Sequence, residues 1–103
     1  MFARLTFINI RPKRVKDFRK IYNEEIVPVV KKENGNIGAW LLEPTNSAED
    51  FIWLTEWGSE EDANAYESNG TYKMLIDKIK GMYTIKPVAK AYHIAESKVA
   101  TNM

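Results

Sequence analysis

Phe51-Ile52-Trp53-Leu54-Thr55-Glu56-Trp57-Gly58-Ser59-Glu60-Glu61-Asp62-Ala63 is the stretch whose reading decides the fold. Phe51 to Trp57 has the two-residue period of a β-strand and is apolar on both faces. Phe51, Trp53 and Trp57 fall on one face, Ile52 and Leu54 on the other. Gly58 turns the chain, and Ser59 with Asp62 three residues on resembles a capping box that opens a helix. A strand that is apolar on both faces needs two covering surfaces.

The neighbouring elements supply one of them. Ala3 to Ile10 is rich in β-branched and aromatic residues and ends before Arg11-Pro12, which predicts a strand. Phe18, Ile21, Tyr22, Ile26 and Val29 form a helical stripe after Val15. Pro28 lies inside that stripe and is expected to kink the helix or end it early. Asn34-Gly35 is a helix stop. Asn36 to Glu43 predicts a second strand, Pro44 to Glu49 a polar turn. The helix after Ser59 is expected to run to about Ser68. Asn69-Gly70 interrupts it and Thr71 recaps it. Tyr72, Leu75, Ile76 and Ile79 then repeat at the spacing of a buried face, and Gly81 stops the helix. Val88 to Ala95 predicts the last strand.

The order is β-α-β-β-α-β. Its simplest packing is α+β and ferredoxin-like: a four-stranded antiparallel sheet with the helices on one face. The other sheet face is then bare and apolar. Two copies stacked sheet to sheet would cover it, so the expected assembly is a homodimer with a barrel-like core, a dimeric α/β barrel.

The chain has 103 residues, enough for one small domain, expected over residues 1–96 with a C-terminal tail at 97–103. Fifteen basic residues face fourteen acidic ones, so no overall pull on nucleic acid or an anionic membrane follows. There is no cysteine, which removes disulfides, thiolate nucleophiles and thiolate metal sites, and fits a cytoplasmic setting. The first residues lack the pattern of a secretory signal, and no apolar run approaches the ~20 residues of a membrane span. One histidine and scattered acids predict no metal site. No phosphate-binding glycine motif occurs.

Lys31-Lys32-Glu33-Asn34-Gly35-Asn36-Ile37-Gly38, then Leu54 to Ala63, then Tyr66, Ser68 and Tyr72, together resemble the antibiotic-biosynthesis-monooxygenase domain of the dimeric α/β-barrel superfamily. The resemblance spans roughly residues 3 to 95, and its motifs are moderately specific. It implies cofactor-free oxygenases acting on quinol-like or anthrone-like aromatics, haem-degrading enzymes, isomerase-like members, or proteins of unassigned activity. Haem-degrading members use a histidine on the second helix as iron ligand; Ile76 aligns there. Their strand-one asparagine falls near Thr6, with Asn9 not far along, and their helix tryptophan falls at Tyr66. Many oxygenase members carry a histidine where Tyr66 stands. The resemblance thus implies a cofactor-independent monooxygenase of a small aromatic, with no cofactor. The alternatives are a non-catalytic barrel protein that binds a small apolar ligand and, remotely, an RNA-binding module of the same strand order.

Each candidate site residue has a structural competitor. His93, the lone histidine, is a candidate general base, or a sheet-surface histidine. Asn9 is a candidate for orienting a carbonyl, or a strand-end residue satisfying the turn before Pro12. Tyr72 and Tyr66 flank the helix break and are candidate donors to a substrate oxygen, or core aromatics. Trp40, Trp53 and Trp57 would line an aromatic site, or are core. Packing of Trp53 against Tyr72 across a closed cavity would favour the structural role. Glu56 is expected to pair with a basic group such as Arg4. The basic run Arg11, Lys13, Arg14, Lys16, Arg19, Lys20 is an anion patch or a solvated helix face.

Overall fold

The computed structural model describes residues 1–95; the expected tail at 97–103 lies outside them. β1 (Phe2–Ile8), β2 (Asn36–Leu42), β3 (Phe51–Trp57) and β4 (Val88–His93) form one sheet in the order β2-β3-β1-β4, antiparallel throughout. The helical segments α1 (Val15–Ile21), α2 (Val27–Val30), α3 (Glu60–Ser68) and α4 (Thr71–Lys78) join the strands. This is the ferredoxin-like arrangement, with β1 and β3 central.

Register assigns the faces. Phe2, Arg4, Thr6 and Ile8 stand opposite Trp57, Thr55, Trp53 and Phe51, and all eight are buried. They pack against Phe18, Tyr22, Ile26, Ala63, Tyr66 and Leu75 from the helices. Directly opposed residues share a face. Ala3, Leu5 and Phe7 therefore lie on the other side with Glu56, Leu54 and Ile52, and with Trp40 and Leu42 of β2. This second face is open: Trp40 is 48% and Val88 53% exposed.

Two expectations are corrected by the same rule. Glu56 and Arg4 sit on opposite faces of the sheet, because Glu56 opposes Ala3. Arg4 instead donates to Glu67 of α3 at 2.6 Å. Trp40 belongs to the open face, where its ring lies over Gly38, and not to the helix side.

The helix runs through Pro28 but ends two residues later, at Val30, short of the Asn34-Gly35 stop. A π-helical turn, Tyr22–Ile26, precedes the proline. The wider turn absorbs a proline that has no N–H for the α-helical bond. Ser59 caps α3 as expected, its hydroxyl accepting from the Asp62 N–H at 3.2 Å. At the break, the cap of α4 comes from Asn69, whose Oδ1 accepts from the Thr71 N–H at 2.9 Å; Thr71 is the first helical residue.

Gly35 ties β2 to α3. It has φ +82°, its carbonyl accepts from the Gly58 N–H at 2.9 Å, and a Cβ there would collide with the Asp62 carboxylate. Gly35→Ala is expected to cost about 2 kcal/mol or more, from left-handed strain and the clash together. Gly70 has φ +90° but open space around it. Gly70→Ala is expected to cost only the strain, about 1 kcal/mol. Urea midpoints of the two variants check this; equal losses would contradict it.

Candidate functional site

The helix side of the sheet is filled by aromatic rings. Trp57 and Tyr66 lie 4.8 Å apart, Tyr66 and Tyr72 5.8 Å, Trp53 and Tyr72 5.9 Å, and Tyr22 and Trp53 6.2 Å. Trp53, Trp57 and Tyr66 are fully buried, so they make the wall of a site rather than its lining. The Trp57 indole N–H donates to Thr55 Oγ1 at 2.9 Å.

Tyr72 is the boundary of this layer. It is half-buried and shares a hydrogen bond of 3.1 Å with Thr6. The Arg4 guanidinium carbon stands 5.3 Å from its ring centre, within cation–π range. Arg4 is buried among these groups and anchored by Glu67. On its outer side Tyr72 lines a cleft of about 440 Å³ with Lys73, Ile76, Asp77, Lys80, Tyr83, Lys86 and Pro87. The walls of this cleft are α4 and the segment that leads into β4. On the sheet, Thr6 opposes Ala89 of edge strand β4, a small residue that leaves this side of the sheet uncovered.

Burial holds these hydroxyls protonated. The Tyr22 hydroxyl is pushed up to about 12 by burial. Burial, then the neighbouring Tyr72, raises Tyr66. Burial raises Tyr72, opposed by the Thr6 hydrogen bond and the Arg4 charge. An unfolded tyrosine near 10 loses its proton where the folded one keeps it. Stability is therefore full below pH ~10 and falls above it, by up to about 1.4 kcal/mol per pH unit for Tyr22 alone until pH ~12. Urea unfolding at stepped alkaline pH reads this slope; a flat profile through pH ~11 would contradict it.

The other two catalytic expectations lie elsewhere. His93 is exposed, stacks edge-on against Phe2 with centroids 5.5 Å apart, and opposes Phe2 at the far end of β1. Four strand residues, or about 13 Å, separate Phe2 from Thr6. Asn9 lies beyond β1. Its Nδ2 donates to Asp50 at 3.1 Å, and its Oδ1 accepts from the Thr84 hydroxyl at 2.6 Å. That is a pin for the strand end, not a group facing the cleft. Of the expected site residues, Tyr72 alone lines the cleft, while Trp53 and Tyr66 back it. Arg4 and Thr6 were missed as site residues. Their signal was two polar residues alternating with the apolar Phe2 and Ile8 on a central strand.

The basic run is a solvated face. Arg19 makes a two-pronged contact with Glu43 at 2.6 and 2.8 Å, and Arg14 pairs with Asp17. The Glu43 carboxyl is lowered by the Arg19 hydrogen bond. Among the described residues no group of three or more His, Cys, Asp or Glu is placed to hold a metal ion, and no helix is long and apolar enough to cross a membrane.

Sheet order, helices on one face and an aromatic-backed cleft beside α4 define a ferredoxin-like α+β domain with a small-molecule-sized site. The chain belongs to the antibiotic biosynthesis monooxygenase family, whose model matches residues 1–78. Among solved structures it is similar to a candidate antibiotic biosynthesis monooxygenase from Deinococcus radiodurans, with TM-score 0.82 and 14% identity over 99% of this chain and 100% of that one. A second, from Nitrosomonas europaea, has TM-score 0.77 and 14% identity over 93% of this chain and 100% of that one. A third, an MhuD mutant with two manganese protoporphyrin IX molecules bound per active site, has TM-score 0.75 and 18% identity over 96% and 99%. At these identities the likeness is one of fold. No curated protein matches the chain.

Proposed function

We propose that this protein is a cofactor-independent monooxygenase acting on a quinol- or anthrone-type aromatic bound in the α4 cleft. The observation that carries the reading is Tyr72: a protonated phenol at the cleft wall, held by Thr6 and backed by the Arg4 cation. When Thr6 donates to it, the Tyr72 proton is free for a ligand oxygen. An activated phenol or anthrone reacts with dioxygen through its enolate, and a donor aimed at the developing oxyanion lowers that barrier. Asp77, the carboxylate lining the cleft, accepts the departing carbon-bound proton and passes it to water. For an anthrone the balance is one ring methylene plus dioxygen giving one ring carbonyl plus water; for a quinol it is the quinol plus dioxygen giving a hydroxyquinone plus water, and in both the substrate supplies all the electrons.

The protoporphyrin seen in a structural neighbour is a test of fit. The position at which haem-degrading members resemble this chain but place histidine is Ile76, which lines the cleft, and no histidine does. That set of lining residues does not supply an axial ligand of that kind.

Tyr72→Phe is expected to lower kcat for oxygenation by about 10²-fold with little change in KM, because the donor acts on developing charge. Steady-state dioxygen uptake checks it. An unchanged kcat would remove Tyr72 from the chemistry. The packed layer of Trp53, Trp57 and Tyr66 favours a second reading, a barrel protein that binds a small aromatic without turning it over. Saturable binding without oxygen uptake across a quinol panel would select that reading.

The assembly we infer is a homodimer through the open sheet face. Leu5, Phe7, Ile52, Leu54, Trp40 and Val88 make that face largely apolar, with Lys90 over the Phe7 ring and Glu56 beside Ala3, and a second copy presents the same surface in return.

A further inference from the structure

The cleft beside α4 is lined by apolar side chains and by three lysines. Tyr72, Ile76, Tyr83 and Pro87 supply the apolar lining. Lys73 and Lys80 come from one wall; seven residues apart, they share a face of α4 and its exit turn. Lys86 comes from the opposite wall, where the chain leads into β4. None of the three has an ion pair among the described residues, whereas the next lysine on the helix, Lys78, binds Glu25 at 3.2 Å. Asp77 is the carboxylate among the lining residues, so three cations face one anion. The whole chain has a formal charge of only +1, so this is a local concentration of positive charge and not a reflection of composition.

Three lysines lining a cleft together with apolar side chains suit a flat ligand with an anionic edge. We propose that the ligand of this cleft is an aromatic carboxylate, its ring on Tyr72, Ile76 and Tyr83 and its acid group met by Lys73, Lys80 and Lys86. This rests on the cleft being the aromatic site, and it adds that the substrate is an acid rather than a neutral quinol. All three lysines are exposed, so the attraction is screened by salt and shared among three groups.

The test compares 1-hydroxy-2-naphthoate with 1-hydroxy-2-naphthamide, which have nearly the same shape but differ in charge, by calorimetric titration of the full chain. The acid is expected to bind about tenfold tighter than the amide at low salt, the contribution of several partly screened pairs. That preference should shrink toward equality at roughly 0.5 M salt. Replacing Lys73, Lys80 and Lys86 together by glutamine is expected to abolish the preference, read as the ratio of acid to amide affinity within the variant. Circular dichroism of this exposed-surface variant verifies that it is folded. If the amide binds and the acid gains nothing, the acid-recognition proposal is overturned while the aromatic cleft stands. If neither binds, the proposal and the reading of the cleft fall together.

Discussion

Trp57→Ala is expected to remove about 3–5 kcal/mol of stability, which is a large part of the ~5–15 kcal/mol available to a domain of this size. Trp57 ends β3 with no exposed surface, opposite Phe2, and its ring stacks on Tyr66 at 4.8 Å. Truncation leaves a cavity the size of an indole between the sheet and α3, and a rigid strand end and a capped helix cannot close it. It also removes the donor that satisfies the Thr55 hydroxyl inside the core. Equilibrium urea unfolding measures the loss. Tyr66 would be unpinned as well, and through it the back of Tyr72, so oxygenation should fall even below the unfolding midpoint. A loss under about 1 kcal/mol would show that this layer is not packed as described.

The second large effect concerns assembly. Leu54→Glu places a carboxylate at the middle of the open sheet face, between Leu5 on β1 and Trp40 on β2. In a lone subunit that position is partly exposed and the charge is tolerated. In a twofold sheet-to-sheet dimer it is buried without a partner, at about 3 kcal/mol or more per copy, and symmetry doubles the cost. Wild-type protein is expected to sediment as a dimer at micromolar concentration and the variant as a folded monomer. A wild-type monomer under those conditions would contradict the dimer.

Much of this was legible in the sequence because the signals were local. β3 has the bounds the alternation predicted, Phe51 to Trp57, and Ser59 caps α3 as its spacing to Asp62 implied. The corrections at Glu56 and Trp40 share a cause: each depended on which residues meet across a long sequence separation. Arg4 meets Glu67, 63 residues away, and Thr6 meets Tyr72, 66 residues away. Neither pairing leaves a mark in composition or periodicity. Trp40 was grouped with Trp53 and Trp57 by residue type, yet the register of β2 against β3 sends it to the other face. His93 and Asn9 drew attention as rare polar residues on strands, but the cleft is built around the α4 end of the sheet. Pro28 illustrates a different limit. Its missing N–H is a local fact, but whether a helix breaks or widens is decided by the packing of Tyr22 and Ile26 on each side.

The most direct test of the central claim is dioxygen uptake by protein freed of flavin, haem and metal, with anthrone- and naphthoquinol-type substrates. One dioxygen is expected per anthrone methylene converted to a carbonyl, or per naphthoquinol ring C–H converted to a hydroxyquinone, with one water released in each case, and Tyr72→Phe is expected to be slower by about 10²-fold. No uptake across such a panel, or uptake that is equal with Tyr72→Phe, would contradict it.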